Sequence, residues 1–414
     1  MNRQLQKYLR TRAVNAPWII EGVERKAFRA VVVVPALAEA ASLPATLQSL
    51  SANPTEELGE TLILVVVNNR PDASAEQRKD NQQTLAWLKS GPFPLLHLAW
   101  VDVCSSGLEL PVGEGVGLAR KIGFDLSLSL LDWSSIPLCI SLDADTLVDP
   151  FYLQALLRHF ELSKKAGAVL PFRHQQGTAN RQEQAIRHYE LYLRAYLFGL
   201  QLAGSPYAYH SIGSAFACRA SAYIAAGGMN RRHAAEDFYF LQQLSKIGGI
   251  EMLRGTVVRP SPRISDRVPF GTGKTLQAQV ESGQLLYAFI ASRSFQLLKD
   301  WLGLINGQLN GSAGTVLQGA EALSPILQQF LEELNFAQVW ERLQRNHTHE
   351  LQRLHAFHHW FDALRTRQLL TRVDAGHKVS SEIVVAELLA WGGYPGIRQL
   401  ERQLLLLETV QGAR

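Results

Sequence analysis

Apolar residues fall along this chain in two rhythms. In the first third they form short unbroken runs: AVVVVPALAE (30–39), TLILVVVNNRPD (61–72), LLHLAWVDV (95–103) and PLCISLDAD (137–145). The first two are continuous β-branched runs, which predict strands buried on both faces, and the other two read as further strands of the same sheet. The stretches between them, SLPATLQSL, AEQRKDNQQTLAWLKS and GLARKIGFDLSLSLL, mix polar and apolar positions and read as helices. Ser42 caps the first and Pro44 sits in its first turn. Buried strands alternating with helices predict an α/β domain with a mostly parallel sheet flanked by helices.

The rhythm then lengthens. AGAVLPF (166–172) reads as one more strand and residues 182–202 as a long helix, followed by a Gly/Ser-rich block. From about Leu276 onward β-branched runs vanish and helical periodicity dominates. The expected organisation is an N-terminal extension (1–27), an α/β domain (28–275) and a helical C-terminal domain (276–414).

Composition narrows the class. With 47% hydrophobic and 19% charged residues among 414, the chain has material for a sizeable core. The balance of 41 basic to 37 acidic residues argues against nucleic-acid binding by overall field. Cys104, Cys139 and Cys218 are odd in number and widely spaced, so they read as reduced packing residues. No signal-peptide block opens the sequence, and the longest apolar stretches are broken by Arg194, or by Asp132 and Pro137. A cytoplasmic location follows, with no transmembrane span and peripheral membrane contact left open.

Candidate chemistry gathers at the strand ends. Ligands of parallel sheets sit beyond the carboxyl ends of the strands. Pro35 to Glu39, Asn68 to Asp72 and Asp143 to Asp145 all fall there. Asp143 and Asp145, one residue apart and expected on the same side of their strand, repel unless a cation lies between them. Hard divalent ions such as Mg²⁺ or Mn²⁺ take one or two carboxylates plus substrate phosphate oxygens. A polar strand-to-loop transition would use the same residues, and D-x-D alone is a weak signal.

Four segments in order resemble the family-2 glycosyltransferases of GT-A fold, over about residues 28–270. VVVVPALAEAASLPATLQSL keeps Pro35 and Glu39 of the family's P-x-Y-N-E, with Leu37 and Ala38 in place of the aromatic and the Asn. GLARKIGFDLSL keeps Ala119, Arg120 and Gly123 of A-R-N-x-G, with Lys121 for Asn. ISLDADTLVDPFYLQ is similar to the metal-binding D-x-D strand and the helix after it. GSAFACRASAYIAAGGMNRRHAAEDFYFLQQLSKIG is similar to the acceptor-side block, with a Gly-Gly pair before an acidic dipeptide.

The resemblance implies a metal-dependent enzyme that moves a sugar from a nucleotide-diphosphate sugar to a hydroxyl acceptor with inversion. Asp237 would be the base, with Glu236 as the alternative, and Asp143 and Asp145 would hold Mn²⁺ or Mg²⁺. Pro35, Glu39, Asn68, Asn69, Arg120, Asp143, Arg263 and Arg267 would contact the donor. Asn68 and Asn69 replace the acids that family members usually carry at the second strand end, so the usual base preference does not transfer. Glu236 and Asp237 at a helix start also suit its dipole. Gly227 and Gly228 would allow close backbone approach to sugar or acceptor, or would form a helix cap.

Other signals are weaker. GTGKT (271–275) lacks the first glycine of a P-loop, since position 268 is Val268. Arg263, Arg267 and Lys274 suggest instead a basic loop that closes over a diphosphate, or a solvated linker. GEGVG (113–117) lacks dinucleotide spacing. Five histidines between His347 and His359 read as a helical, partly exposed packing surface with Phe357 and Trp360, although His355 and His359 stand one turn apart and could bind a transition metal. His210 and His233 are candidates for a third metal ligand. A nucleotidyltransferase would need a Gly-rich basic loop after the first strand, where PALAEAASLP has neither; a non-catalytic sugar-nucleotide scaffold is the third reading.

Overall fold

The computed structural model describes residues 3–14, 17–231, 235–263, 288–375 and 380–414. Arg267, Lys274 and His233 lie outside them. The described elements in order are α1 (Arg3–Thr11), β1 (Ala30–Ala36), α2 (Leu43–Ser51), α3 (Thr55–Gly59), β2 (Thr61–Asn68), α4 (Ala75–Lys89), β3 (His97–Val103), α5 (Val116–Ser127), β4 (Leu138–Ser141), β5 (Leu147–Val148), α6 (Tyr152–Leu162), β6 (Gly167–Val169), α7 (Asn180–Leu202), β7 (Phe216–Arg219), α8 (Ala220–Ala225), α9 (Glu236–Gly248), β8 (Ile250–Met252) and β9 (Val258–Arg259). Eight further helices run from Ser292 to Val410.

Seven strands form one sheet in the order β3-β2-β1-β4-β7-β6-β8, and β5 pairs with β9 in a small ribbon. Strands β1 to β4 are mutually parallel; β1, β2 and β4 are buried on both faces, as inner strands of a parallel sheet are, while β3 at the edge is half-buried. β7 inserts antiparallel between β4 and β6, and β8 returns parallel to β6. Proline in a central strand removes a ladder donor. Pro35 is accommodated because β4 pairs only with Ala30–Val33, and the chain leaves the ladder where the Leu142 amide meets the Val33 carbonyl.

Helix α5 carries Arg120 and lies close to the sheet. A Cβ on Gly123 would collide with Val33 and come within 3.0 Å of Val66. Only glycine lets the helix backbone settle there, which is a physical reason for the Gly of A-R-K-x-G.

Compactness divides the chain differently from the linear division expected at 27/28 and 275/276. One unit takes residues 1–186, 211–286 and 411–414; the other takes 187–210 and 287–410. Within the first, α1 is docked into the sheet domain. Tyr8, Tyr223 and the Val14 amide all donate to the buried Asp125 carboxylate at 2.7–2.8 Å, and Lys121 lies 2.9 Å from it. In the second unit, Leu191, Ala195 and Phe198 of α7 belong to the same core as Trp301, Phe336, Trp340, Phe357 and Leu388. That shared apolar face is why residues 187–210 group with the helices.

Candidate active site

β4 ends at Ser141, so Asp143 and Asp145 occupy the loop before β5 rather than the strand itself. Strand alternation, expected to put them on one side, does not govern them. They take separate guanidinium partners. Asp143 pairs with Arg120, while Asp145 pairs with Arg263 at 3.0 Å.

Arg120 is 3% exposed and bridges Asp143 and Glu236. Burial lowers its pKa, but Asp143, Glu236 and Asp237 outweigh this and the net shift is upward. The guanidinium therefore stays charged and its two ion pairs fasten the D-x-D loop and the start of α9 to α5. Space for it comes from Gly213, where a Cβ would stand 2.5 Å from Nη2. Ser141 holds that segment by donating to the Gly213 carbonyl at 2.6 Å.

The second clamp is Arg263, whose two terminal nitrogens donate to both Glu39 oxygens at 2.6 and 2.9 Å. This bidentate bond, more than any other influence, raises the Arg263 pKa. Glu39 is delivered by a kink after β1 in which Ala38 adopts φ +52°. Asn81 of α4 secures the kink by accepting from the Ala38 amide at 2.8 Å. An asparagine tolerates that left-handed backbone better than alanine does, so Ala38 holds the family's Asn position with a side chain less suited to it.

Five carboxylates (Glu39, Asp143, Asp145, Glu236, Asp237) thus lie around two guanidiniums. Burial, then Asp143 and Glu39, push the Asp145 carboxyl up to about 7 against the pull of Arg263. Burial, then Glu236, push Asp237 up to about 7 against Arg120. Asp237 keeps one donor in its own helix, the Phe238 amide at 2.7 Å. Asn230 steadies the helix start by donating to the Glu236 carbonyl at 2.8 Å.

Other expected positions are placed as follows. Pro35 lies inside β1. Asn68 and Asn69 are buried at the end of β2, and their amide hydrogens bond backbone carbonyls of Ala36, Val66, Arg70 and Cys104. Gly227 and Gly228 have φ near +80°, as a tight turn requires. A Cβ on Gly228 would run into the Tyr8 hydroxyl, so the chain's own α1 fills the space beside that turn. His210 falls in the second unit. Among the described residues no three His, Cys, Asp or Glu side chains come together as a metal site.

Sequence reasoning missed Gly213, Asn81 and the Tyr8–Lys121–Asp125–Tyr223 network. The pairing of Lys121 and Asp125 at i,i+4 was visible in the helix pattern. Tyr8 was not, because its partner is 117 positions away.

A mostly parallel sheet flanked by helices, with an acidic loop beyond β4, is the arrangement of the GT-A fold. Residues 31–226 match the family described as glycosyl transferase family 2, and this segment belongs to it. Glu236, Asp237 and Arg263 lie beyond the matched segment.

Two solved structures are distant likenesses. TarS 1-349 of S. aureus in complex with UDP-GlcNAc is 13% identical, covering 94% of this chain and 93% of that chain at a TM-score of 0.39. The mannosyltransferase PcManGT from Pyrobaculum calidifontis in complex with GDP-Man and Mn²⁺ is also 13% identical, covering 99% and 92% at 0.36. Neither transfers a residue role or a substrate to this chain. No curated protein matches it. Among the described residues no helix is long and apolar enough to cross a membrane.

Proposed function

We propose that the chain is an inverting, metal-dependent glycosyltransferase acting from a nucleoside-diphosphate sugar on a hydroxyl acceptor. One observation carries the reading: two arginines hold a surplus of carboxylates in two groups beyond the sheet, Asp145 with Glu39 on one side and Asp237 with Glu236 on the other. An excess of carboxylates over guanidiniums among the described residues of this site suits a cation. The donor set fits a hard ion of the Mg²⁺ or Mn²⁺ type, which Asp143 and Asp145 would hold with substrate phosphate and water as further ligands. Bound there, such an ion would neutralise the departing diphosphate.

The chain's own residues have distinct tasks in this reading. Arg263 is the cation placed beside Asp145, where a donor diphosphate would lie, and Glu39 aims its fork. Arg120 holds Asp143 and Glu236 at a fixed separation and so sets the metal side against the base side. Asp237, with its carboxyl raised to about 7, takes the proton from the incoming hydroxyl as that oxygen bonds the anomeric carbon and the bond to the nucleoside diphosphate breaks. Attack from the face opposite the leaving group inverts the centre. With their amides engaged internally, Asn68 and Asn69 shape the end of β2 and leave the base to be read by other groups.

Calorimetric titration with UDP- and GDP-sugars, with and without Mn²⁺, tests the reading, with nucleotide release followed by a coupled assay. Metal-dependent binding of one donor, abolished in Asp145→Asn, is expected. Absence of any donor binding in the presence of metal would leave a sugar-nucleotide fold without the transfer function.

A further inference from the structure

The helical unit holds a histidine pair that the transfer chemistry does not use. Helix Glu350–Trp360 turns Phe357 inward against Trp301 and Trp340. Its opposite side leaves His355 exposed and His359 partly exposed, one turn apart. Their ring centroids are 4.1 Å apart. Both rings line an open groove of about 830 Å³ together with His347, between the apolar walls of Leu343, Leu351 and Trp360. The segment is the partly exposed packing surface expected, with His358 against Phe357 and His355 facing solvent.

We propose that His355 and His359 form a chelating site for a divalent transition metal of the zinc, nickel and copper group. Two histidines at i and i+4 present imidazole nitrogens on one helix face, the spacing at which a single ion bridges both. Imidazole suits these borderline metals, whereas Mg²⁺ and Mn²⁺ prefer oxygen ligands. No third His, Cys, Asp or Glu side chain completes a closed site among the described residues. Water therefore fills the remaining positions, and the ion is exchangeable rather than structural.

The test is a zinc titration of the full-length, untagged chain in saturating Mg²⁺, which keeps the carboxylate site occupied. One zinc per chain is expected, with affinity falling about tenfold or more in His355→Ala and in His359→Ala. His349→Ala, an exposed neighbour outside the groove, serves as control and should bind as wild type. Asp143→Asn/Asp145→Asn should also retain zinc. The thermal midpoint should rise with zinc in wild type and stay fixed in His355→Ala/His359→Ala. The proposal is overturned if wild type binds no zinc, if the double histidine variant binds it like wild type, or if zinc is lost only with the two aspartates.

Discussion

Glu236 and Asp237 are neighbours in sequence whose carboxyls meet different surroundings. Glu236 is buried and paired with Arg120; the Asp237 carboxyl, which has no ion pair among the described residues, is pushed up to about 7 by burial and then by Glu236. A base must be ionised, so turnover at saturating donor and Mn²⁺ should climb as pH rises through about 7 and level off above it. Asp237→Asn should lower nucleotide release by about a hundredfold or more while calorimetry still detects the donor. Loss of binding in that variant would move Asp237 from catalysis to recognition. The same raised pKa has a stability consequence. A carboxyl at 3.8 in the unfolded chain and about 7 when folded imposes no penalty below about 4 and its full penalty above 7. Asp237→Asn should therefore raise the thermal midpoint relative to wild type at pH 8, with the gain shrinking towards pH 4.

At the scale of elements, α5 is the hub of the site unit. Its Arg120 ties the D-x-D loop to α9, its Gly123 sits against β1, and its Lys121 and Asp125 receive α1. Tyr8→Phe removes one of the donors to a buried carboxylate and should destabilise by about 1.5–3 kcal/mol, read as a lower urea midpoint with unchanged slope. Gly228→Ala meets two obstacles, a φ of +81° and the Tyr8 hydroxyl. A loss of about 1–3 kcal/mol is expected. Pairing Gly228→Ala with Tyr8→Ala should recover part of that loss, because the two act on one contact. Additive losses would show that backbone strain alone governs the turn.

For the whole molecule, the non-contiguous units bear on where the chain can be cut. A fragment ending at residue 275 keeps Leu191, Ala195 and Phe198 but loses Trp301, Phe336 and Trp340, their core partners. Such a fragment should bind the dye ANS and aggregate in size-exclusion chromatography, although it contains every strand of the described sheet. A well-behaved monomeric fragment would mean that α7 finds another cover.

The sequence by itself determined the strands β1 and β2, because runs apolar at nearly every position fit a doubly covered sheet. It also located the acids, since Glu39, Asp143, Asp145, Glu236 and Asp237 fall at strand ends or a helix start. Tertiary structure alone decided their pairings. Arg120 meets Glu236 across 116 positions and Arg263 meets Glu39 across 224. No local pattern announces a contact at that distance, because a guanidinium chooses among carboxylates by the geometry of the folded backbone. Asn68 and Asn69 show the same limit, as polar residues whose donors turned inward to carbonyls visible only once β2 stood beside its neighbours. Gly213 and Gly228 likewise read as ordinary loop glycines until Arg120 and Tyr8 occupied the space a side chain would need.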